Sequence, residues 1–361
     1  MMMTSVLLTA TPGSLPPAGT ESLGSFPPGA PRYWPTFGGA REVRLLDGEW
    51  SFGFIDGWDS GFDSMDPNFM PARAITPNKT LVPSCMDVVA GGAPGYLGPR
   101  GVGMFRTNFS SPAANVPVRL QFQSCSFYCR VWVNGHEIGD HRAGGYVAFW
   151  LDVPQAQLAS AGKANELFVI ADNRFNHTTA PMHTGGDFWH YGGIIRSVEL
   201  HTMATEPVLW RAYVLPSNSS TTDSVVGAPD SVNIELVLSA PESGPVAFSI
   251  AFDGGAASSM AGTAEAGRVV LKNIPVPNPL PWSPDSPNLH TVKVLCRGGS
   301  VTERFGLRRF GAEKASARLT LNGKVTRPTP HPEPPRWCPH HAECPPCFES
   351  GRTHPTTGRM H

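Results

Sequence analysis

Residues 131–153 constrain the fold of this chain most, because they contain two strand-like runs separated by turn residues. The first run is Val-Trp-Val at 131–133, and β-branched and aromatic residues of this kind favour strands. Asn134 and Gly135 follow, and both tolerate the positive φ of a two-residue hairpin turn. Residues 146–152 then alternate again. The segment therefore predicts two strands of a β-sandwich.

The composition favours an all-β chain with more than one domain. Of the 361 residues, 38 are Gly and 37 are Pro, and only 16% are charged, which suits short strands and many turns better than long helices. The formal charge of −1 gives no electrostatic reason to expect nucleic acid or an anionic membrane as a partner. No apolar run approaches the roughly 20 residues of a membrane span. Nucleic acid and membrane are therefore not predicted as partners.

Several motifs occur in a fixed order along the first half of the chain. Residues 132–152 contain a W-V-N-G turn, then His141, then a G-G-Y-x-x-F-x-x-D run. Upstream, residues 46–52 read L-D-G-E-W-S-F, and residues 101–109 read G-V-G-M-F-R-T-N-F. This set resembles the sugar-binding β-sandwich of family 2 glycoside hydrolases, which include the β-galactosidases and β-glucuronidases. The resemblance implies a jelly-roll sandwich with a carbohydrate partner, whereas His141 is expected to tie its own loop.

The most specific motif lies at residues 187–200, which match the D-x-W-x-x-x-G-I-x-R-x-V-x-L pattern of the same family. In the family, this loop reaches towards the sugar site of a neighbouring barrel. The resemblance therefore implies that Asp187 contacts the sugar or an associated ion and that Trp189 also belongs to the substrate site. The alternative is that Asp187 only accepts backbone N–H bonds within its loop. After the loop, alternation predicts a strand with residues 194, 196, 198 and 200 on one side.

Five segments follow from these patterns. We predict a disordered leader at 1–30, a sugar-binding jelly-roll sandwich at 31–203, an immunoglobulin-like sandwich at 204–310, a remnant of the start of a catalytic barrel at 311–324, and a disordered tail at 325–361. The second sandwich is predicted from short strands separated by Gly, Pro, Asp and Ser. It also carries W-S-P-D-S-P-N-L and F-G-L-R motifs that are similar to those of the family.

No catalytic residue is predicted. Retaining glycoside hydrolysis needs two carboxyl groups about 5–5.5 Å apart, and in the family both are Glu residues of the barrel. After Lys324 the sequence turns to a tail rich in Pro and His rather than to barrel strands and helices. The Asn165-Glu166 dipeptide is similar to the family's acid/base pair only as a dipeptide, because it begins a predicted sandwich strand. The resemblance therefore leaves open whether this chain is itself an enzyme.

The tail contains cysteines and histidines, which are common zinc ligands. Cys338, Cys344 and Cys347 could form a zinc site with neighbouring histidines at 340 and 341, but the spacing lacks a second paired knuckle and prolines interrupt it. A frameshifted or read-through terminus is the preferred interpretation, so no metal site and no cofactor is predicted. The remaining cysteines are predicted to be packed free thiols: Cys85, Cys125, Cys129 and Cys296. The N-terminus shows no clear signal peptide, which favours the cytoplasm.

Three hypotheses follow for the function. The first is the non-catalytic N-terminal part of a family 2 β-glycosidase, inactive alone. The second is a carbohydrate-binding β-sandwich protein without catalysis, and the third is a non-functional gene fragment.

Overall fold

The computed structural model describes residues 34–56, 64, 78–86, 100–142, 144–174, 191–203, 207–217, 227–313 and 318–326. Its elements with defined bounds are 21 strands and one 3-10 helix, Gln155–Gln157. The predicted all-β class is therefore confirmed. Among these described residues, no helix is both long and apolar enough to cross a bilayer. The proposed leader at 1–30 and nearly all of the proposed tail at 325–361 lie outside them.

The first sandwich consists of ten strands. The strand β1 (Thr36–Gly39) precedes them in the chain but belongs to the second sandwich. The ten are β2 (Arg41–Leu45), β3 (Gly48–Asp56), β4 (Asn78–Val82), β5 (Gly101–Ser110), β6 (Val118–Phe122), β7 (Tyr128–Val133), β8 (His136–His141), β9 (Phe149–Val153), β10 (Ala164–Asp172) and β11 (Val198–Met203). They form a six-stranded sheet, β4-β3-β5-β10-β7-β8, and a four-stranded sheet, β2-β11-β6-β9, in which all neighbours are antiparallel.

An aromatic core holds these two sheets together. Trp50 and Phe52 of β3 and Phe105 of β5 face Phe122 of β6 across the sandwich, and all four are buried. Trp50 also satisfies its ring N–H, which donates to the Leu46 carbonyl at 2.8 Å. Burial of each such side chain contributes about 1.5–3 kcal/mol. The apolar residues that alternate in the sequence therefore form the core that holds the two sheets together.

The predicted hairpin turn is confirmed between β7 and β8. Asn134 and Gly135 both have positive φ, 50° and 81°, as the two-residue turn requires. The Asn134 amide also donates to the Gln157 carbonyl at 2.7 Å and to Asn165 Oδ1 at 2.9 Å. The turn is therefore tied to the chain on either side of β10's start.

The second sandwich contains β1 and seven later strands. These are β12 (Leu209–Ser217), β13 (Ser231–Leu238), β14 (Gly244–Phe252), β15 (Ser258–Ala264), β16 (Arg268–Pro275), β17 (His290–Cys296) and β18 (Gly299–Phe305). One sheet has the order β1-β18-β17-β14-β15 and the other β12-β13-β16. Because β1 pairs with β18 while β2 pairs with β11, the chain crosses between the sandwiches at Ala40.

A small third sheet follows the second sandwich. It consists of β19 (Phe310–Glu313), β20 (Arg318–Leu321) and β21 (Lys324–Val325) in that order. Phe310 and Leu319 are largely exposed on it, whereas Leu321 is buried. Asn322 connects the sheet to the second sandwich, because its amide donates to the Trp282 carbonyl at 3.0 Å.

The strand predicted after the Asp187 loop begins later than alternation suggests. Ladder pairing starts only at Val198, because Gly193 pairs with Ser126 and the carbonyl of Ile194 accepts from Ser84. Once β11 begins, both of its faces are buried, including Glu199. The second face is covered by the second sandwich, a long-range contact that the local pattern does not contain.

Candidate functional site

The two residues predicted to contact substrate, Asp187 and Trp189, lie outside the described residues. The described chain stops at Arg174 and resumes at Tyr191, so the structure shows where the segment leaves and re-enters the first sandwich. We call the surroundings of these two ends the loop base. It comprises residues 172–174 and 191–194, with Ser84, Met86, Ser126 and Gly145.

The outgoing end of the segment is anchored by side chains. Asp172 pairs with Arg174 at 2.6 Å and accepts a hydrogen bond from the Ser64 hydroxyl at 2.6 Å. Asn173 is buried, and its Oδ1 accepts from the Gly101 backbone N–H at 2.9 Å. Its carbonyl accepts from Arg100 at 3.0 Å. The chain direction at the end of β10 is therefore fixed before the segment begins.

The returning end is anchored by backbone contacts that need glycine. A Cβ on Gly192 would lie 2.5 Å from Asn173 Cβ and 2.6 Å from Met86 Cε. Gly193 has a φ of 107° and exchanges two backbone hydrogen bonds with Ser126, at 3.0 and 3.1 Å. The Gly pair therefore permits a tight approach, and the two ends of the segment meet at Gly192 and Asn173.

A disulfide beside the loop base corrects the prediction for two cysteines. Cys125 and Cys129 are bonded, with Cα atoms 6.4 Å apart, so they are not packed free thiols. The prediction was wrong because the chain turns between β6 and β7 and brings together two side chains that look isolated in the sequence. Cys85 and Cys296 carry no disulfide, as predicted. The bridge encloses Ser126, which contacts the returning end of the segment.

The loop after β8 packs on the same serine. Ser124 and Ser126 both donate from their hydroxyls to the Gly145 carbonyl, at 2.6 and 2.8 Å. The neighbouring Tyr146 packs edge-on against buried Phe127, with ring centroids 5.6 Å apart. The loop that carries the G-G-Y motif is thereby joined to the loop base.

Two other sequence candidates take structural roles. His141 bonds through Nε2 with the Gly144 carbonyl at 3.2 Å and stacks on Phe149 at 4.1 Å, so it ties its loop as predicted. Asn165 is buried and its Oδ1 accepts from Ala159 N–H at 2.8 Å. Glu166 lies in β10 near Arg106, at 3.5 Å. The dipeptide is therefore part of a sandwich strand, as its sequence context predicts.

Sequence reasoning missed a buried charged cluster between the sandwiches. We call it the inter-sandwich cluster, and it comprises Arg41, Arg119, Gln121, Glu199, His201, Trp210 and Arg211. Arg41 donates to His201 Nδ1 at 2.8–3.0 Å and to the Trp210 carbonyl at 2.7 Å. Its guanidinium lies between the rings of Phe37 and Trp210, 3.7 and 3.8 Å from their centroids. Local sequence gives no signal for this cluster, because Arg41 and His201 are 160 residues apart.

The protonation of His201 follows from these contacts. Because Nδ1 accepts from Arg41, Nε2 carries the hydrogen and donates to Glu199 at 2.8 Å. Burial lowers the pKa of His201 to about 4. Burial acts to raise the pKa of Glu199, but hydrogen bonds from His201 and Gln123 help to lower it below its usual value. The cluster therefore holds a neutral imidazole beside a carboxylate.

Arg119 extends the cluster to the surface of the second sandwich. It makes a bidentate pair with Asp152, at 2.6 and 2.9 Å, and donates to the Ser239 carbonyl at 2.8 Å. Arg211 donates to Gln121 in the same region. These contacts join β6 and β9 to the second sandwich. Their role is to fix the orientation of the two sandwiches, since every charged group in them has a partner.

Within the described ranges, no three His, Cys, Asp or Glu side chains come together in a way that could hold a metal ion. The tail cysteines and histidines of the rejected zinc hypothesis lie outside those ranges.

Comparisons with known proteins agree with this architecture. A family model described as "Glycosyl hydrolases family 2, sugar binding domain" matches residues 99–204, and one described as "Glycosyl hydrolases family 2" matches residues 220–308. The two matches together cover more than half of the chain, and they fall on the first and second sandwiches in order.

Individual relatives are named as glycosidases. The beta-galactosidase BgaC of Bifidobacterium adolescentis is 27% identical over 224 residues, 57% of this chain and 20% of that protein. A beta-glucuronidase of Paenibacillus borealis is 25% identical over 229 residues, 57% of this chain and 35% of that protein. A crystal structure of a beta-galacturonidase from Eisenbergiella tayi bound to galacturonate shares the fold, with a TM-score of 0.60 at 21% identity. It covers 80% of this chain, which spans 46% of that enzyme.

Proposed function

Because the chain belongs to family 2 of the glycosyl hydrolases, we propose that it supplies the sugar-binding and immunoglobulin-like domains of a β-glycosidase. The proposed substrates are β-glucuronides and β-galactosides, as the names of the relatives suggest. The observation that carries it is the pair of family matches, which fall in order on the two sandwiches. The domain limits at 31–203 and 204–310 belong to the same proposal.

In this proposal the segment between Arg174 and Tyr191 contacts the sugar through Asp187 and Trp189. The loop base supports it, because both ends of that segment are fixed by buried contacts at Asn173 and Gly192. A site held on a rigid scaffold binds with less loss of conformational entropy than a free loop does. The first sandwich would thus present one wall of a sugar site.

The proposed activity of this chain by itself is binding without hydrolysis. The chain spans a fifth to a third of the two relatives compared above, and the resemblance locates the family's two glutamates in the barrel. Removing positioned carboxylates forfeits most of a rate enhancement on the order of 10⁶-fold or more. We expect the purified chain to release no nitrophenol above background from nitrophenyl β-glucuronide or β-galactoside.

Turnover that copurifies with the chain would contradict this proposal. If Asp187→Ala then abolished the turnover, the segment would itself be an active site. A matched control is Asp285→Ala, which removes an exposed acidic side chain of the second sandwich. The control variant should behave as the parent does in every assay.

A further inference from the structure

The second sandwich has an open cavity at one end. Its volume is about 930 Å³, and small-molecule sites usually measure about 300–1,000 Å³. Both sheets line the cavity, because β14 and β15 supply one wall and the end of β16 supplies part of the other. The apolar residues of the lining include Ile250, Phe252, Met260, Ile274, Leu280 and Leu289. No part of the proposed function accounts for this cavity.

The inner wall of the cavity is continuous with the core of the second sandwich. Ile250 is a buried member of that core, and Phe252 and Met260 pack against it. Leu280 and Leu289 also line the cavity and are 55% and 50% exposed, so they form an apolar rim. A ligand with an apolar body removes this surface from water when it enters, which is a favourable contribution to binding.

The segment that follows β16 also lines the cavity and has little conformational freedom. Residues 275–287 contain six prolines, and each proline fixes φ near −65°. Two backbone hydrogen bonds hold the segment to the rest of the sandwich. The Val276 N–H donates to the Asp230 carbonyl at 3.0 Å, and the Trp282 N–H donates to the Leu307 carbonyl at 2.9 Å. The cavity is therefore formed before a ligand arrives, which lowers the entropic cost of binding.

A carboxylate is fixed in the lining by the turn between β14 and β15. Asp253 and Gly254 occupy this turn with positive φ of 50° and 73°, and the Gly255 N–H donates to the Phe252 carbonyl across it at 2.8 Å. One carboxylate oxygen of Asp253 accepts from the backbone N–H of Thr291 at 2.7 Å. The turn and this bond hold the carboxylate beside the apolar wall.

The histidine next to this carboxylate is neutral. The Leu280 N–H donates to Nε2 of His290 at 3.0 Å, so Nε2 carries no hydrogen. The other nitrogen, Nδ1, therefore carries the hydrogen and donates to Asp253 at 2.7 Å. Burial acts to raise the pKa of Asp253, but hydrogen bonds from His290 and Thr291 lower it below its usual value. Among the described residues that line the cavity, Asp253 is thus the charged one at neutral pH.

From this arrangement we propose that the cavity binds a small hydrophobic amine. The apolar body of the ligand lies between the two sheets, against Phe252 and Met260. Its ammonium group pairs with Asp253, whose side chain is 44% exposed and has a lone pair for a further donor. An alcohol of the same shape gains the apolar contact alone, and a carboxylate is repelled. The site belongs to the second sandwich, so the proposal does not depend on the sugar contacts proposed for the first.

NMR titration of the whole chain tests the proposal with three ligands that share one apolar body: 4-phenylbutylamine, 4-phenyl-1-butanol and 4-phenylbutyrate. For an open apolar site with one charged contact, we expect the amine to bind with a Kd of about 0.1–1 mM. The alcohol should bind about threefold to fivefold more weakly, because an ion pair in contact with water adds little. The butyrate should bind more weakly than the alcohol. Backbone amide shifts should concentrate at residues 250–260 and 274–290.

Variants of the lining locate the site. Ser258→Trp fills the cavity with an indole and should abolish binding of all three ligands. The control Ser259→Trp changes the next exposed residue of β15, which points to the opposite face of the sheet and should leave each Kd within about twofold. Leu289→Ala removes part of the rim and should weaken all three ligands about threefold.

A further variant tests the charge. Asp253→Asn should lower the affinity for the amine to that for the alcohol and leave the affinity for the alcohol unchanged. The control Asp285→Asn removes an exposed carboxylate outside the lining and should change neither. A thermal unfolding midpoint near that of the parent verifies that each variant is folded. The three ligands report on the charge in the parent as well, so this test stands even if Asp253→Asn does not fold.

Four results would overturn the proposal. The first is no binding of the amine at concentrations up to about 20 mM. The second is amine binding that Ser258→Trp and Leu289→Ala both leave unchanged. The third is an affinity for the butyrate equal to that for the amine. The fourth is self-association of the chain that Ser258→Trp abolishes, because the cavity would then receive a second copy of the chain. None of them bears on the proposed function, which fails instead if this chain turns over nitrophenyl glycosides.

Discussion

The loop base and the inter-sandwich cluster are held together by different kinds of contact. The returning end of the loop base depends mainly on backbone hydrogen bonds and on glycines that permit close approach, such as the Gly193–Ser126 pair. The inter-sandwich cluster depends on buried side-chain charges, with Arg41 bonded to His201 and Arg119 to Asp152. Backbone contacts leave side chains such as Tyr191 exposed, whereas the buried charged groups are paired with one another.

The two regions therefore have different roles: the loop base fixes one loop, and the inter-sandwich cluster orients the two sandwiches. A change in the inter-sandwich cluster should act on stability and on how the sandwiches sit together, because its charges cannot be left unpaired without a large desolvation cost. A change in the loop base should act locally.

The largest effect is expected for Arg41→Ala. The change leaves His201 Nδ1 and the Trp210 carbonyl without their donor and removes the guanidinium that packs between two rings. Removing one partner of a buried charged network costs about 3–5 kcal/mol, and urea unfolding monitored by tryptophan fluorescence should show that loss. The control is Arg142→Ala, since Arg142 makes its ion pair with Asp140 at the surface and should leave the midpoint unchanged. Equal losses in both variants would contradict the separation.

The next effect concerns pH. His201 has a pKa of about 4 in the folded protein against a usual value of 6.5, so the folded state disfavours its proton. The stability that depends on the neutral ring is therefore fully present above pH 6.5 and is lost as the pH falls towards 4. A shift of this size corresponds to about 3 kcal/mol. Urea unfolding at pH values from 4 to 8 should show the loss, and His201→Gln should remove it.

Other charged groups of the cluster modify this pH dependence, as does Glu303 of β18, whose carboxyl interacts with Arg211. Arg41 and Arg211 also oppose protonation of His201, whereas Glu199 favours it. Burial raises the pKa of Glu303 to about 7, so its contribution has the opposite sign and is lost as the pH rises through 7. The comparison of His201→Gln with the parent isolates the histidine, because Glu303 is present in both. If the free energy of unfolding of His201→Gln depends on pH as strongly as that of the parent, another group causes the dependence.

A smaller effect is expected from the disulfide beside the loop base. The Cys125–Cys129 bond closes a short loop, since the cysteines are four positions apart. The chain-entropy relation for a loop of this length gives about 2 kcal/mol. The double variant Cys125→Ser, Cys129→Ser should lose that amount in denaturant unfolding. Dithiothreitol should lower the free energy of unfolding of the parent to that of the variant and leave that of the variant unchanged. An unchanged free energy of unfolding in the fully reduced parent would show that the disulfide does not stabilise the fold.

The sequence predicts the fold well because the fold depends on local patterns. The turn at Asn134 requires residues that tolerate positive φ, and the core strands require alternating apolar residues such as Trp50 and Phe52. The residues that meet each requirement lie within a few positions of one another in the sequence. The all-β class and the two sandwiches therefore follow from the sequence.

The parts that could not be predicted depend on contacts between distant residues. Nothing near Arg41 indicates that it pairs with His201, and nothing near Glu199 indicates that the second sandwich covers it. The Cys125–Cys129 bond is an exception, since it joins residues four positions apart and depends on how the chain turns between β6 and β7. The roles of Asp187 and Trp189 stay predictions, because they come from a motif rather than from geometry.

The smallest effect is expected for Gly192→Ala, which tests whether the loop base acts locally. The new Cβ would lie 2.5 Å from Asn173 Cβ and 2.6 Å from Met86 Cε. Overpacking of this kind costs about 1–3 kcal/mol. The flexible end of the Met86 side chain can move away from the new atom, whereas Asn173 Cβ is attached to the backbone and can move less. The control Gly299→Ala meets no atom closer than 3.6 Å and should change stability by less than about 0.5 kcal/mol. NMR spectra of Gly192→Ala should shift at residues around Asn173 and Met86 and stay unchanged around His201. Shifts that spread to the inter-sandwich cluster would show that the two regions are coupled after all.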